Sequence, residues 1–164
     1  GASPASAATV CASADGPTAQ TSTVALANSA LCLVNQERTS RGLKPLKPNR
    51  RLAKAANNHA RDMVARGYFS HDSMNGASFV DRIRRAGYVP ARVFPSLGED
   101  LAWGSGALGT PREIVQSWME SAGHRANILN PKFREGGMGV AFGDVGAGEE
   151  GVTYALDFGS GGRR

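Results

Sequence analysis

Histidines and one acidic residue of a predicted strand are the groups of this chain best suited to metal or acid–base chemistry. His71 follows a helix end in the segment GYFSHDS, and His124 lies in SAGHRAN, just after a tryptophan-bearing helix. Imidazole is the commonest metal ligand in proteins and titrates near neutral pH. Spacing alone does not predict that these two share a site. His59 lies on the apolar side of a predicted helix, where a hydrogen-bonded core role is expected.

Glu99 is the acidic residue whose setting is most informative. In LGEDLAW, strand alternation places Glu99 on one face together with Leu97, Leu101 and Trp103. A carboxylate among large apolar side chains is costly unless it is paired, hydrogen-bonded or bound to a metal. Gly98 beside it would let another segment approach closely. Glu99 is therefore expected to have a partner, for which a histidine is suitable; the alternative is a loop with Glu99 in water.

Other chemistries find little support in the residues. Ser70, Ser73 and Ser121 lie near the histidines in sequence, but the G-x-S-x-G motif that exposes a nucleophilic serine is absent. GSGALGT lacks the lysine of a phosphate-binding loop. Aromatic residues make up 7% of the chain and form no stacking motif, so we expect no specific binding of nucleic acid.

The pattern along the chain predicts helices first and most strands last. Apolar residues at helical spacing predict helices over 23–41 and 50–66, the second capped by Asn49 and ended by Gly67. The LKPLKP stretch between them is expected to be extended. Ser78 begins a third helix, and Thr110 begins a fourth. SAGHRANILNP is expected to form a short turn. Alternation over 138–142 and 152–158 predicts two strands around a glycine-rich connection. This order favours an α+β fold, a layered α–β–α arrangement, over a doubly wound parallel sheet.

Charge and cysteines add two expectations. Residues 38–92 hold 13 basic and 3 acidic side chains. This surplus of positive charge indicates either a solvated helical face or a face that contacts an anionic surface such as wall polymer or lipid headgroups.

Residues 1–22 are too poor in bulky apolar side chains to form a core and are expected to be a flexible arm tethered near Cys11. A disulfide between Cys11 and Cys32 would join the arm to the domain over residues 23–164, which implies an oxidising compartment. Two free thiols are the alternative.

Four blocks, in this order, resemble the CAP superfamily of cysteine-rich secretory, antigen-five and pathogenesis-related proteins, in particular its bacterial SCP-like branch. The blocks are LVNQERTSRGLKPLKPNRRLAKAANNHARDM, GYFSHDS, LGEDLAWG and SWMESAGHRANILNPKFREGGMGVAF, and YALDFG matches the last strand. The resemblance implies a three-layer α–β–α sandwich with a central, mostly antiparallel sheet. It also implies a cleft in which His71, Glu99 and His124 meet, with zinc as the divalent metal most expected on the two histidines.

Two departures from the family pattern affect this cleft. The second glutamate of eukaryotic members is replaced here by Ser121, with Glu120 beside it, so a site of two histidines and two glutamates is in doubt. Asp100 stands where the family has an amide, and it either makes the cleft more acidic or points to solvent.

Three functions follow from the resemblance as expectations. The first is a secreted or cell-wall-associated interaction module that binds wall polymer, lipid or a host or envelope component. It is expected to be monomeric and without a membrane span. The second is a metal-dependent hydrolase in which Glu99 is the general base for a metal-bound water. The third is a lipid-binding module.

Overall fold

The computed structural model describes residues 10–90, 95–143, 145–146 and 150–163. Local sequence signals set the ends of its helices: the Asn49 side chain accepts from the backbone N–H of Arg51 and Leu52, and Gly67 ends that helix at φ 66°. Ser78 and Asp81 form the predicted capping box. The elements are α1 (Thr23–Thr39), β1 (Lys47–Pro48), α2 (Arg50–Arg66), α3 (Phe79–Arg85), β2 (Leu97–Ser105), α4 (Pro111–Glu120), α5 (Ala122–Ile128), β3 (Glu135–Phe142) and β4 (Gly151–Gly159).

The strands form a mixed, mostly antiparallel sheet in the order β1-β3-β4-β2. β2 and β3 both run antiparallel to β4, as the expected architecture requires. β1 pairs parallel with β3, within a stretch that the sequence predicted only as extended. The SAGHRANILNP segment forms the helix α5 where a short turn was predicted.

Helices cover both faces of this sheet, which confirms the three-layer α+β prediction. Helices α1, α4 and α5 pack on the face that carries Val140, Leu156 and Phe158. Helix α2 packs on the other face with α3 beside it. It lies so close to β3 that a Cβ at Gly139 would fall 2.3 Å from the backbone carbonyl carbon of Ala56. Within the described residues, no helix combines the length and apolarity needed to cross a bilayer.

The segment before α1 is bound to the domain from residue 10 onward. A disulfide joins Cys11 to Cys32 with 5.8 Å between their Cα atoms, as predicted. Cys11 and Ala14 are buried in the core on the α1 face, and the Arg112 amide donates to the Ala14 carbonyl over 3.1 Å. Residues 1–9 of the predicted arm lie outside the described residues. The disulfide and this hydrogen bond thus join the segment around Cys11 and Ala14 to α1 and α4.

Candidate functional site

Side chains from both helical layers contact the edge strand β2. Strand β4 pairs with one side of β2. On the other side, the Trp118 indole N–H donates to the Leu101 carbonyl over 3.0 Å, and the Asn127 amide approaches the Glu99 carbonyl at 3.4 Å. Since both carbonyls point away from β4, Glu99 and its partner Asp157 form the non-hydrogen-bonded type of antiparallel pair. Side chains lie closest in that type, so two carboxyl groups lie side by side on the α2 face.

Glu99 has the buried, partnered setting that the strand pattern predicted. Its side chain is 0% exposed, and its Oε1 lies 2.9 Å from Nδ1 of His71. The Arg82 guanidinium donates through Nη2 to Oε1 at 2.9 Å and to Oε2 at 2.7 Å. A carboxylate accepts, so Nδ1 of His71 carries the proton. These contacts leave Nε2 of His71 as the ring nitrogen available to a ligand.

Arg82 is a site residue that the sequence analysis missed. Its Nη1 donates to the His71 carbonyl at 2.6 Å and to the Ser73 hydroxyl at 3.1 Å, so one side chain holds both Glu99 and the loop that carries His71. Its position in the sequence gave one indication that Arg82 lies near the protein interior: it follows Phe79 by three residues, at the border of the apolar side of α3. In a chain so rich in arginine, that signal is weak.

Burial and neighbouring charges set the protonation of this group. Burial opposes ionisation of Glu99, but the hydrogen bond with His71 and the positive charge of Arg82 outweigh it and lower the pKa of Glu99. The hydrogen bond to Glu99 in turn raises the pKa of His71. Burial, reinforced by the Glu99 charge, raises the pKa of Asp157 well above its usual range. Ionisation is therefore favoured at Glu99 and opposed at Asp157.

His124 approaches the same edge from the opposite layer. It lies on α5, and its Nδ1 is 3.0 Å from the Ser121 hydroxyl, which leaves Nε2 available. Burial, and after it the charge of His71, lower the pKa of His124, so the two imidazoles lie within electrostatic range of each other. Glu120 instead accepts from the Gln116 amide at 3.1 Å and lines the groove between α1 and α4.

Asp100 points neither to solvent nor to the face of Glu99. It is fully buried on the α5 side of β2, where the Asn127 amide donates to its Oδ1 at 2.8 Å. Burial is the main cause that raises the pKa of Asp100 to about 7. Glu99 and Asp100, which are consecutive in β2, thus direct their carboxyl groups to opposite faces of the sheet.

His59 has the core role that its position predicted. It is 1% exposed, and its Nε2 lies 2.7 Å from the Ser70 carbonyl. Because a carbonyl only accepts, Nε2 of His59 carries the proton. His59 therefore supports the loop that leads to His71.

The arrangement fits a weak metal site better than a complete one. Among the described residues, no three His, Cys, Asp or Glu side chains form a metal-binding group. His71 and His124 each have Nδ1 engaged by an oxygen, which is how ligating histidines are oriented in metal sites. Two nitrogen ligands leave the remaining positions of a tetrahedral zinc to water or to another molecule.

Comparison with known proteins identifies the family. The profile of the cysteine-rich secretory protein family, CAP, matches residues 31–156. The chain belongs to the CAP family. It is 40% identical over 107 residues to the uncharacterized protein YkwD of Bacillus subtilis, a match that covers 65% of this chain and 39% of that protein.

Two solved structures have a fold similar to that of this chain. An extracellular protein from Bacillus anthracis that contains an SCP domain is 30% identical, with a TM-score of 0.61, over 79% of this chain and 38% of that one. An outer surface protein from Borrelia burgdorferi has a TM-score of 0.65 at 18% identity, and the match covers 79% of this CAP chain and 87% of that one. The second likeness shows the fold alone.

Proposed function

We propose that this CAP domain is an extracellular interaction module whose His71 and His124 bind a divalent metal at the edge of β2. The observation that carries the proposal is that each ring has an oxygen partner at Nδ1, so that the other nitrogen of each is presented for a ligand. The disulfide and the extracellular relative support a place outside the cell.

Two protein ligands define what such a metal would do. Zinc would be held weakly and would keep open coordination positions, which a carboxylate or carbonyl of a partner can fill. The side chain of His71 is 53% exposed, so a partner can reach this position from solvent. The metal would then act as a bridge between the module and its partner.

Calorimetric titration with zinc at pH 7.5 tests this proposal. Wild-type protein should bind one equivalent, and either His71→Ala or His124→Ala should abolish binding while the fold is retained. Ser121→Ala should weaken affinity roughly 10-fold or more, because it removes the partner at Nδ1. Ser117→Ala, at an exposed position of α4, is the matched control and should bind as wild type does. Binding that survives loss of both histidines contradicts the proposal.

Catalysis by Glu99 stays a prediction, and the contacts of Glu99 favour a supporting role. An effective general base needs a pKa near the working pH, whereas the neighbours of Glu99 lower its pKa. Both oxygens also accept from Arg82. A hydrolase would show turnover of a wall or protein substrate that is lost in Glu99→Gln with the fold intact; no turnover in the wild type removes this candidate.

Lipid binding is favoured by one separate observation. A cavity of about 660 Å³ lies between the segment before α1 and the ends of β3 and β4. Its walls include the apolar side chains of Pro17, Ala107, Phe142 and Val152, and cavities of that volume suit drug-sized apolar ligands. Saturable uptake of a fatty acid by delipidated protein would support this candidate, and absence of uptake would remove it.

A further inference from the structure

A groove beside the start of α2 is lined by four cationic side chains and by no acidic one. It encloses about 600 Å³ and shares no residue with the histidine cleft. Its charged residues are Arg50, Arg51, Lys54 and Arg163. Within the described part of the chain, none of these four forms an ion pair, whereas Arg41 and Arg66 are paired with Glu37 and Asp62.

The floor of this basic groove is held by hydrogen bonds, which also engage the acidic residue beneath it. Tyr88 is 2% exposed, and its hydroxyl donates to Glu135 at 2.8 Å. The Gly162 amide donates to the same Glu135 oxygen at 2.7 Å. Arg51 is held over the floor by its bond to the Gly87 carbonyl at 2.8 Å. One oxygen of the Glu135 carboxylate is therefore engaged by two donors in the floor of the groove.

Two of the four cations lie one turn apart on α2. Side chains four residues apart lie on one side of a helix, and Arg50 and Lys54 are about 6 Å apart along the helix axis at 1.5 Å per residue. Cations spaced along the groove in this way suit a chain of repeated charges better than a single small anion.

The chemistry of the lining favours a polyanion without bases. Single-stranded nucleic acids are bound through exposed aromatic rings on which bases stack, and Tyr88, the one aromatic residue in the groove, is buried. We propose that the groove binds a phosphodiester polymer with a polyol backbone, through ionic contacts with its four cations, Arg50, Arg51, Lys54 and Arg163. This site is independent of the proposed metal site.

Salt dependence of binding to poly(glycerol phosphate) tests the inference. Four ionic contacts on a flexible polyanion, at about 0.7 counterions released per contact, predict that affinity falls about 50-fold from 50 to 200 mM salt. The variant Arg50→Gln with Lys54→Gln keeps two contacts, so its affinity should fall only about 7-fold over the same range. Its affinity at 50 mM salt should also be at least about 10-fold weaker than that of wild type.

The matched control removes the same charge elsewhere. Arg61→Gln with Lys132→Gln alters two exposed cations outside the groove lining and should keep wild-type affinity and salt dependence. Equal losses in the two double variants would mean diffuse attraction and overturn the proposal, as would no binding by the wild type. Duplex DNA and inorganic phosphate should bind more weakly than the polymer; tighter binding of either contradicts a site for an extended polyol phosphate.

Discussion

Replacing Asp100 by asparagine should make the fold less sensitive to pH. The side chain is fully buried, and burial raises its pKa from the ordinary value of 3.8 to about 7. An acid with a raised pKa stabilises the fold fully below the unfolded value, and this contribution is lost as pH rises through the folded value. Asparagine has the shape of the protonated acid, keeps an oxygen for the Asn127 amide and cannot ionise.

The size of the effect follows from the two pKa values. The difference between 3.8 and about 7 corresponds to about 4 kcal/mol, since a tenfold change in proton affinity is worth about 1.4 kcal/mol. The stability of Asp100→Asn relative to wild type should therefore increase by up to about 4 kcal/mol between pH 4 and pH 8. Most of the increase should occur between pH 4 and pH 7.

Urea unfolding of both proteins at one-unit pH intervals measures this difference. Asp72→Asn makes the same chemical change at an exposed position and is the matched control. A stability difference for Asp100→Asn that stays constant from pH 4 to pH 8 would contradict this prediction, because Asp100 would then titrate alike in the folded and unfolded chains. If the stability of the wild type relative to Asp100→Asn increased with pH, the sign of the predicted pKa shift of Asp100 would be wrong.

Three further substitutions test the supporting structure, each by urea unfolding. Arg82→Ala should cost about 3–5 kcal/mol, since it leaves a buried carboxylate without its cation; Arg84→Ala, exposed on the same helix, should change stability by less than about 0.5 kcal/mol, and similar costs for the two would contradict the buried ion pair. Gly139→Ala should cost at least about 1–3 kcal/mol because α2 must move away from β3; an unchanged midpoint would mean that the helix has room. Loss of the disulfide in Cys11→Ser with Cys32→Ser should cost about 3 kcal/mol, and a stability equal to wild type would show that the segment before α1 needs no covalent tether.

Local signals predicted much of the helical framework. Asn49 and Gly67 mark the ends of α2 in the sequence and in the structure, because the capping chemistry involves residues close in the chain. Strand β1 was not predicted as a strand. It is two residues long and contains Pro48, and its pairing with β3 depends on a contact between segments far apart in the chain.

The sequence predicted a site residue where its type is unusual among its neighbours in the chain. It did not predict residues that reach the site through contacts between distant segments. Glu99 stood out because a carboxylate interrupts an apolar strand face. Asp157 and Arg82 did not, because the register between β2 and β4 and the packing of α3 bring them to Glu99. Arg38 shows the same limit: counted with the basic surplus, it is 1% exposed and donates to the carbonyls of Ile128 and Phe133.

Nitrogen-15 NMR of the imidazole rings during a zinc titration shows whether His71 and His124 bind one metal ion between them. We expect the Nε2 signals of His71 and His124 to shift together on adding one equivalent of zinc, while each Nδ1 keeps its proton and His59 is unchanged. Zinc-induced shifts at only one of the two cleft histidines, or at Nδ1 of either ring, would contradict a metal held between the two layers at the edge of β2.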